Sequence, residues 1–266
     1  MDTTHTSFKL NENRKKIKGL LNLFTFIFIA VFSFNYLDVS VLQIITSIPD
    51  LVNFITDNFM PPNFSNINMF VSAAFDTVLF AIVGTYISAL LSFFFGILMA
   101  DSLTPNPIVR YSVRFFISFL RNIPVLIWVS LMVFVFGIGN MVGLIGLVLA
   151  TMGFLSRSYA ESINEIAGSK LEAMRASGAN LFQLIFHGLI PEFAPAWLNW
   201  TLFSFEINIR ASAILGIVGA GGMGILIQTN LNLRNFPQAS ALIIILIAMV
   251  LATEFIVNLL RNNINR

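Results

Sequence analysis

The chain has 266 residues, of which 57% are hydrophobic and 11% charged, with a formal net charge of +2 and no cysteine. This composition excludes a soluble domain and defines a polytopic membrane protein. The basic residues are spread among loops, which leaves no nucleic-acid footprint. Without cysteine there is neither a disulfide framework nor a thiolate metal site, so with only His5 and His187 as soft ligands no metal or other cofactor is expected.

Residues 1–19 form a polar tail carrying Lys9, Arg14, Lys15, Lys16 and Lys18, and the apolar run Leu20–Leu37 follows directly. No small-residue cleavage site comes after it, so the run is expected to be an uncleaved first span with the tail inside. Crossing the hydrocarbon core takes about 20 apolar residues, which makes this run barely sufficient. From Val39 to Asn68 there is no lysine or arginine, and this places the segment outside. Within it Ile44, Ile48, Leu51, Val52, Ile55 and Phe59 recur at steps of three and four, opposite Gln43, Ser47, Asp50, Asn53 and Asp57, until Pro61-Pro62. The pattern predicts an amphipathic helix, lying on the outer membrane surface or partly buried as a connection. Residues 20–68 thus precede a core of five further spans at 69–266.

The second span is Phe70–Ala100, ending at Asp101 before a turn, Thr104 to Pro107, that faces the cytoplasm with Arg110, Arg114 and Arg121 beyond it. Pro124 opens the most hydrophobic part of the third span, which ends around Gly137 to Asn140. The fourth, Met141–Tyr159, has Gly143, Gly146 and Gly153, small residues that let membrane helices approach closely. A polar interval follows, Glu161 to Pro191, and the basic residues Arg157, Lys170 and Arg175 in or beside it assign it to the cytoplasm. Leu171 and Met174 before Gly178, and Leu181, Phe182, Leu184 and Ile185 after it, recur at helical spacing. They predict two short helices with the glycine at the bend, where positive φ costs nothing. Such a pair at the end of membrane helices makes a docking knob for a soluble partner. The fifth span follows Pro191 and Pro195 and runs to about Val218. Then come the glycine run Gly219 to Gly224, a polar outer stretch from Gln228 to Gln238, and the sixth span Ala239–Leu260. Of the 15 lysines and arginines, all but Arg210 and Arg234 fall in or beside cytoplasmic segments, as expected for six spans with both termini inside.

Gly219, Gly221 and Gly224 spell the dinucleotide-binding G-x-G-x-x-G, but a membrane helix precedes them where a buried strand is needed, and no acidic residue appears until Glu254. A break in the outer end of the fifth span is expected instead, and unwound backbone at that depth requires protein or a water-filled cavity beside it. Glu206 and Arg210 stand in the fifth span at i and i+4, the favourable order for an intrahelical pair. A charge at the centre of a membrane helix costs about 2.5–3.5 kcal/mol, so the two are either a structural pair between packed helices or lining for a transport pathway. Asp76 and Glu254 are further acids in or near spans.

Glu172-Ala173-Met174, Gly178 and Ile190-Pro191 resemble the EAA loop of permease subunits in bacterial ATP-binding-cassette importers, whose pattern is E-A-A, three residues, G, nine residues, I-x-L-P. Met174 replaces the second alanine, Gly188 stands where the pattern has isoleucine, and Ile190 stands for leucine. Phe59 to Pro62, Arg121 to Pro124, Phe205 to Ala211 and Gly216 to Gly222 are similar to the phosphonate-type permeases of that superfamily, and the likeness runs from about residue 40 onward. The resemblance implies an all-α integral membrane protein of six transmembrane helices with a cytoplasmic coupling loop at 161–191, in a bacterial cell membrane. It implies a homodimer around one pathway, an ATPase dimer on the cytoplasmic face and an external substrate-binding protein. The ATPase contacts would be Glu172, Ala173, Gly178 and Pro191; the translocation pathway would include Glu206, Asn208, Arg210, Gly219, Gly221 and Gly222. The chain has no G-x-x-x-x-G-K-[ST] phosphate loop, so ATP chemistry is expected in a separate subunit. The implied substrate is a small phosphorus oxyanion such as a phosphonate or phosphite. Another small anion, an ion-gradient-driven transporter and a membrane scaffold are the alternatives.

Overall fold

With long apolar runs and few breakers, the chain satisfies its backbone groups within helices. In the computed structural model, which describes residues 3–104, 106–166, 168–219 and 221–264, every regular element is helical among the described residues. Pro105, Ala220 and Arg266, named above in the turn, the glycine run and the cytoplasmic charges, lie outside the described residues. Residues 1–57 form one unit and 58–266 another.

The first unit opens with α1, Thr3–Tyr36, whose apolar part from Ile17 is long enough to cross a membrane. Its exposed rings make a ladder at i, i+4: Phe28 stacks on Phe32 at 6.5 Å and Phe32 on Tyr36 at 6.1 Å. The amphipathic segment forms two helices rather than one, α2 (Val41–Thr46) and α3 (Ile48–Phe59). Ser40 caps α2 by accepting from the Gln43 N–H at 3.2 Å, and the interruption at Ser47 falls two residues before Pro49, which has no N–H to extend the ladder.

The second unit is built on α4 (Ile67–Met99), about 50 Å long at 1.5 Å per residue. Its buried stripe of small residues, Thr77, Ala81, Gly84, Ser88, Ser92 and Gly96, lies against α7 (Asn140–Ile166). Gly84 faces Leu147 and Gly96 faces Tyr159 at distances that leave no room for a Cβ, and the Ser88 and Ser92 hydroxyls donate to the Val148 and Met152 carbonyls at 3.3 Å. Between them come α5 (Pro107–Asn122) and α6 (Val125–Phe136), bent by 88°. Pro124, which opens the most hydrophobic part of the third span, stands at this bend. Twelve residues of α6 give about 18 Å, short of the ~30 Å hydrocarbon core, so only the bent pair together has the length of a crossing. Ile123, ahead of the proline, is held extended (φ −94°, ψ 119°), as the pyrrolidine ring demands of the residue before it. Trp128 closes the bend by donating Nε1–H to the Leu120 carbonyl at 3.3 Å, and Gly153 of α7 admits the Arg121 backbone.

After α7 come α8 (Gly168–Ala176), a short α9 (Leu181–Gln183), a π-helical turn (Leu184–Leu189) and α10 (Ile190–Ile217). The helix of the fifth span therefore begins before Pro191 and Pro195 rather than after them, because the helical path is continuous from Leu181. Pro191 lies in the first turn of α10, directly after the π-helical turn Leu184–Leu189. Beyond α10 the stretch read as a polar outer loop contains a helix, α11 (Gly222–Asn232), before α12 (Phe236–Ile264). Its polar side chains are satisfied locally: Asn230 donates to the Leu226 carbonyl at 2.8 Å and Gln228 to Asn232 at 3.2 Å. Met223 and Ile227, one turn apart, bury themselves with Phe70, Ala73, Ala241 and Leu242.

Candidate functional site: a knob and three places around α10

The knob between α7 and α10 turns at Gly178, whose φ of +87° only glycine adopts without strain. Its N–H donates to the Arg175 carbonyl at 2.9 Å and that of Ala179 to Met174 at 3.0 Å, satisfying the end of α8. Asn180 and Gln183 then form a reciprocal capping box, 3.0 and 2.9 Å, that starts α9. Leu171, Leu184 and Leu189 anchor the knob in a core shared with Tyr159 of α7 and Phe193 of α10. Glu172, Ala173, Gly178 and Pro191 are exposed, beside the exposed Leu181, Phe182 and Phe186. The knob thus presents an apolar and charged surface from a base that is buried.

Two departures from the EAA pattern explain each other. A Cβ at Gly188 would come within 2.6 Å of Leu171 Cδ2 and 2.8 Å of the Met174 sulfur. The methionine that replaces the pattern's alanine occupies the volume left by the glycine that replaces its isoleucine.

The base of the knob is tied to the α4–α5 turn. Arg175 donates to the Ser102 carbonyl. Asp101 pairs with Arg110 at 3.2 Å and Arg114 at 2.8 Å, and its N–H donates to Asn164 Oδ1 of α7 at 2.9 Å. The hydrogen bond from Arg114 holds the Asp101 carboxyl below its ordinary value of 3.8.

Within the spans, the residues expected to line one pathway fall in three places. Glu206 and Arg210 are paired on α10, and α12 adds Glu254, 3.8 Å from Arg210, and Arg261, 3.7 Å from Glu206 and 5.6 Å from the Phe203 ring centre. Two acids and two bases thus neutralise one another across two helices, a pairing that lowers the cost of charge in a span. Arg210 stands at the edge of an apolar groove of ≈ 460 Å³ between α10, α11 and α12, lined by Ala213, Ile217, Ile227, Leu246 and Val250 among others. Asn208 points elsewhere. It is buried, donates to Thr85 Oγ1 of α4 at 2.8 Å, accepts from Thr151 Oγ1 of α7 at 2.9 Å, and borders a hollow of ≈ 250 Å³ with Ser204 and Ile207.

The third place is the break after α10. Gly219, Gly221 and Gly222 have φ of +94°, +86° and +67°, and Gly216 and Gly224 bring the backbones of α10 and α11 into direct contact. The Met223 N–H donates to Thr77 Oγ1 of α4 at 2.9 Å, fixing the start of α11. Gly221 and Gly222 line a polar cavity of ≈ 50 Å³ with Asp76, Thr77, Phe80, Asn140 and Ser212, and Asp76, Phe80 and Asn140 continue into a neighbouring hollow of ≈ 350 Å³. Asp76 is legible in the sequence only as an acid in or near a span, and Thr77, Asn140, Ser212 and Arg261 do not stand out there as site residues. The signal for the first four was a carboxylate and three small polar residues at apolar positions.

A helical membrane bundle with a knob on a buried base and a charged fifth span has the form of a multi-pass permease. Residues 92–266 match the family described as "Binding-protein-dependent transport system inner membrane component", and the chain belongs to that family. It is 30% identical over 204 residues to the phosphite transport system permease protein PtxC of Stutzerimonas stutzeri, covering 77% of this chain and 74% of that one. To the phosphate-import permease protein PhnE of Mycolicibacterium smegmatis it is 34% identical over 226 residues, 84% of this chain but 42% of that protein's length. Its fold is similar to a chain of the inward-facing MetNI methionine ABC transporter, with a TM-score of 0.68 at 21% identity, covering 77% of this chain and all of the other.

Proposed function

We propose that this chain is the membrane permease subunit of an ATP-driven importer for a small phosphorus oxyanion delivered by an external binding protein. The observation that carries the reading is the knob at Gly178, whose buried base and exposed Glu172, Ala173, Phe182 and Phe186 suit it to a groove in a soluble subunit. In this reading two copies of the chain pair around one pathway in a bacterial cell membrane, both termini are cytoplasmic, and two ATPase subunits dock from below. Hydrolysis belongs to those subunits. The substrate class follows from the relatives, whose names specify phosphite, phosphate and phosphonate transport. In the pathway, Arg210 would meet an oxyanion once freed from Glu206, and the glycines at 219, 221 and 222 would border the outer opening.

The test is uptake into vesicles holding this chain with its ATPase and binding protein. Phosphite or methylphosphonate enters only with ATP inside the ATPase compartment, and entry persists when an ionophore collapses the ion gradients. Uptake that stops with the gradients while ATP remains would instead indicate a gradient-driven transporter.

A further inference from the structure

The four charges shared by α10 and α12 are unequally paired. Glu206 is largely buried, its side chain 12% exposed, whereas Arg210 and Glu254 are each 46% exposed. One carboxylate oxygen of Glu206, Oε1, accepts from Arg210; the other, Oε2, stands 3.7 Å from Arg261 Nη2, outside hydrogen-bond distance. Arg261 Nε and Nη2 are buried and hydrogen-bonded to none of the described residues. The guanidinium lies instead over the Phe203 ring, 5.6 Å from its centre. Phe203 precedes Glu206 by three residues, so ring and carboxylate share one face of α10, and Arg261 reaches both.

This arrangement answers a difficulty in the pathway. To meet an oxyanion Arg210 must leave Glu206, and a buried carboxylate stripped of its partner destabilises the protein far more than the pair stabilised it. Arg261 removes the difficulty. Its idle N–H groups need to approach Glu206 by only about 1 Å to make a charge-assisted hydrogen bond, a displacement within the range of ordinary helix shifts. Arg210 already stands at the edge of the apolar groove, 3.8 Å from the half-exposed Glu254. Once Glu206 belongs to Arg261, this loosely placed acid alone offsets Arg210, whose field is then available to an anion in the groove.

We propose that Arg261 is a positioning residue for transport: it takes over the Glu206 carboxylate as Arg210 turns into the groove, so that Arg210 is released without leaving a buried acid unpaired. The anion that Arg210 then meets rests on the importer reading, whereas the exchange of partners at Glu206 is tested without transport.

Melting of the purified full chain reads the exchange. Arg210→Gln leaves Glu206 to Arg261, and Arg261→Gln leaves it to Arg210, so each variant should melt within about 3 °C of the unaltered protein. Together they orphan the carboxylate, and the double variant should melt about 10 °C lower, well beyond the sum of the two. Adding Glu206→Gln removes the buried charge and should recover most of that loss; a double variant that accumulates only with Glu206→Gln present gives the same answer. In vesicles with the ATPase and binding protein, Arg261→Gln should lower phosphite uptake about tenfold while the ATPase still co-purifies. Arg261→Lys, which keeps a cation within reach of Glu206, should restore most of that uptake. Additive melting losses, or unaltered uptake by Arg261→Gln, would overturn the exchange. A non-additive melting loss in a protein whose unaltered assembly takes up no phosphite would leave the exchange standing and bring down the importer reading.

Discussion

Two bends in the core turn on glycines at positive φ, and they differ in what surrounds them. Around Gly178 nothing lies within 4 Å of the place a Cβ would occupy. At Gly221 and Gly222 the same position is filled by Asn140 and Thr77, and at Gly216 and Gly224 by the backbone of the facing helix. One bend shapes a surface and the other closes a core. Substitution at the first should change what the surface can dock, while substitution at the second should change whether the protein folds.

The largest effect is expected at the packed bend. Gly224→Val drives a branched side chain into the Ala213 carbonyl and to within 2.8 Å of Gly216 Cα, where backbone must move. The cost is about 3 kcal/mol or more, and thermal melting of the purified protein should show a large loss or no recoverable fold. At the base of the knob, Gly188→Ile alone collides with Leu171 and Met174 and should cost about 1–3 kcal/mol. Paired with Met174→Ala it restores the volume, and the double variant should melt within a few degrees of the unaltered protein. Independent, additive losses would refute the complementarity of those two positions.

Asn208→Ala probes the seam between α4, α7 and α10. It removes two interhelical hydrogen bonds, and since such bonds in membrane helices are worth about 0.6–2 kcal/mol, a modest fall in melting temperature is expected. The smallest effect belongs to Asp101→Asn, which keeps the shape but loses ion pairs that are half exposed, worth about 0–1 kcal/mol. Its signature is in the pH dependence. The carboxyl titrates below its ordinary value of 3.8 in the folded protein, so its contribution is fully present above that value and is lost as pH falls through the lowered one. The variant should lack that acid-side loss of stability.

Much of this arrangement was legible in the sequence. Long apolar runs disclosed α4, α7, α10 and α12, and Gly178 between two helical patterns located the bend of the knob. Three things were not legible, each for a physical reason. Gln228, Asn230 and Asn232 resembled a loop because their hydrogen bonds to their own helix are invisible until α11 exists; the i, i+4 pair of Met223 and Ile227 was the available clue. Pro124 marked a helix start, but the 88° turn depends on Trp128 reaching back to Leu120. Arg210 and Gly221 are close in the chain and both suit a pathway, yet α10 turns them into different cavities, and only the packing of α4 and α12 reveals which acids each one meets.

The proposed coupling role of the knob is tested most directly by Gly178→Val in the proposed importer, reconstituted in vesicles with the ATPase and binding protein that this reading requires. Valine at φ +87° costs about 1–2 kcal/mol and re-aims α9, while nothing lies within 4 Å of the added Cβ. Melting of the isolated chain should change little, while the ratio of phosphite taken up to ATP hydrolysed falls several-fold or the ATPase no longer co-purifies. An assembled complex with the same transport ratio as the unaltered protein would contradict the assignment of this loop as the coupling element.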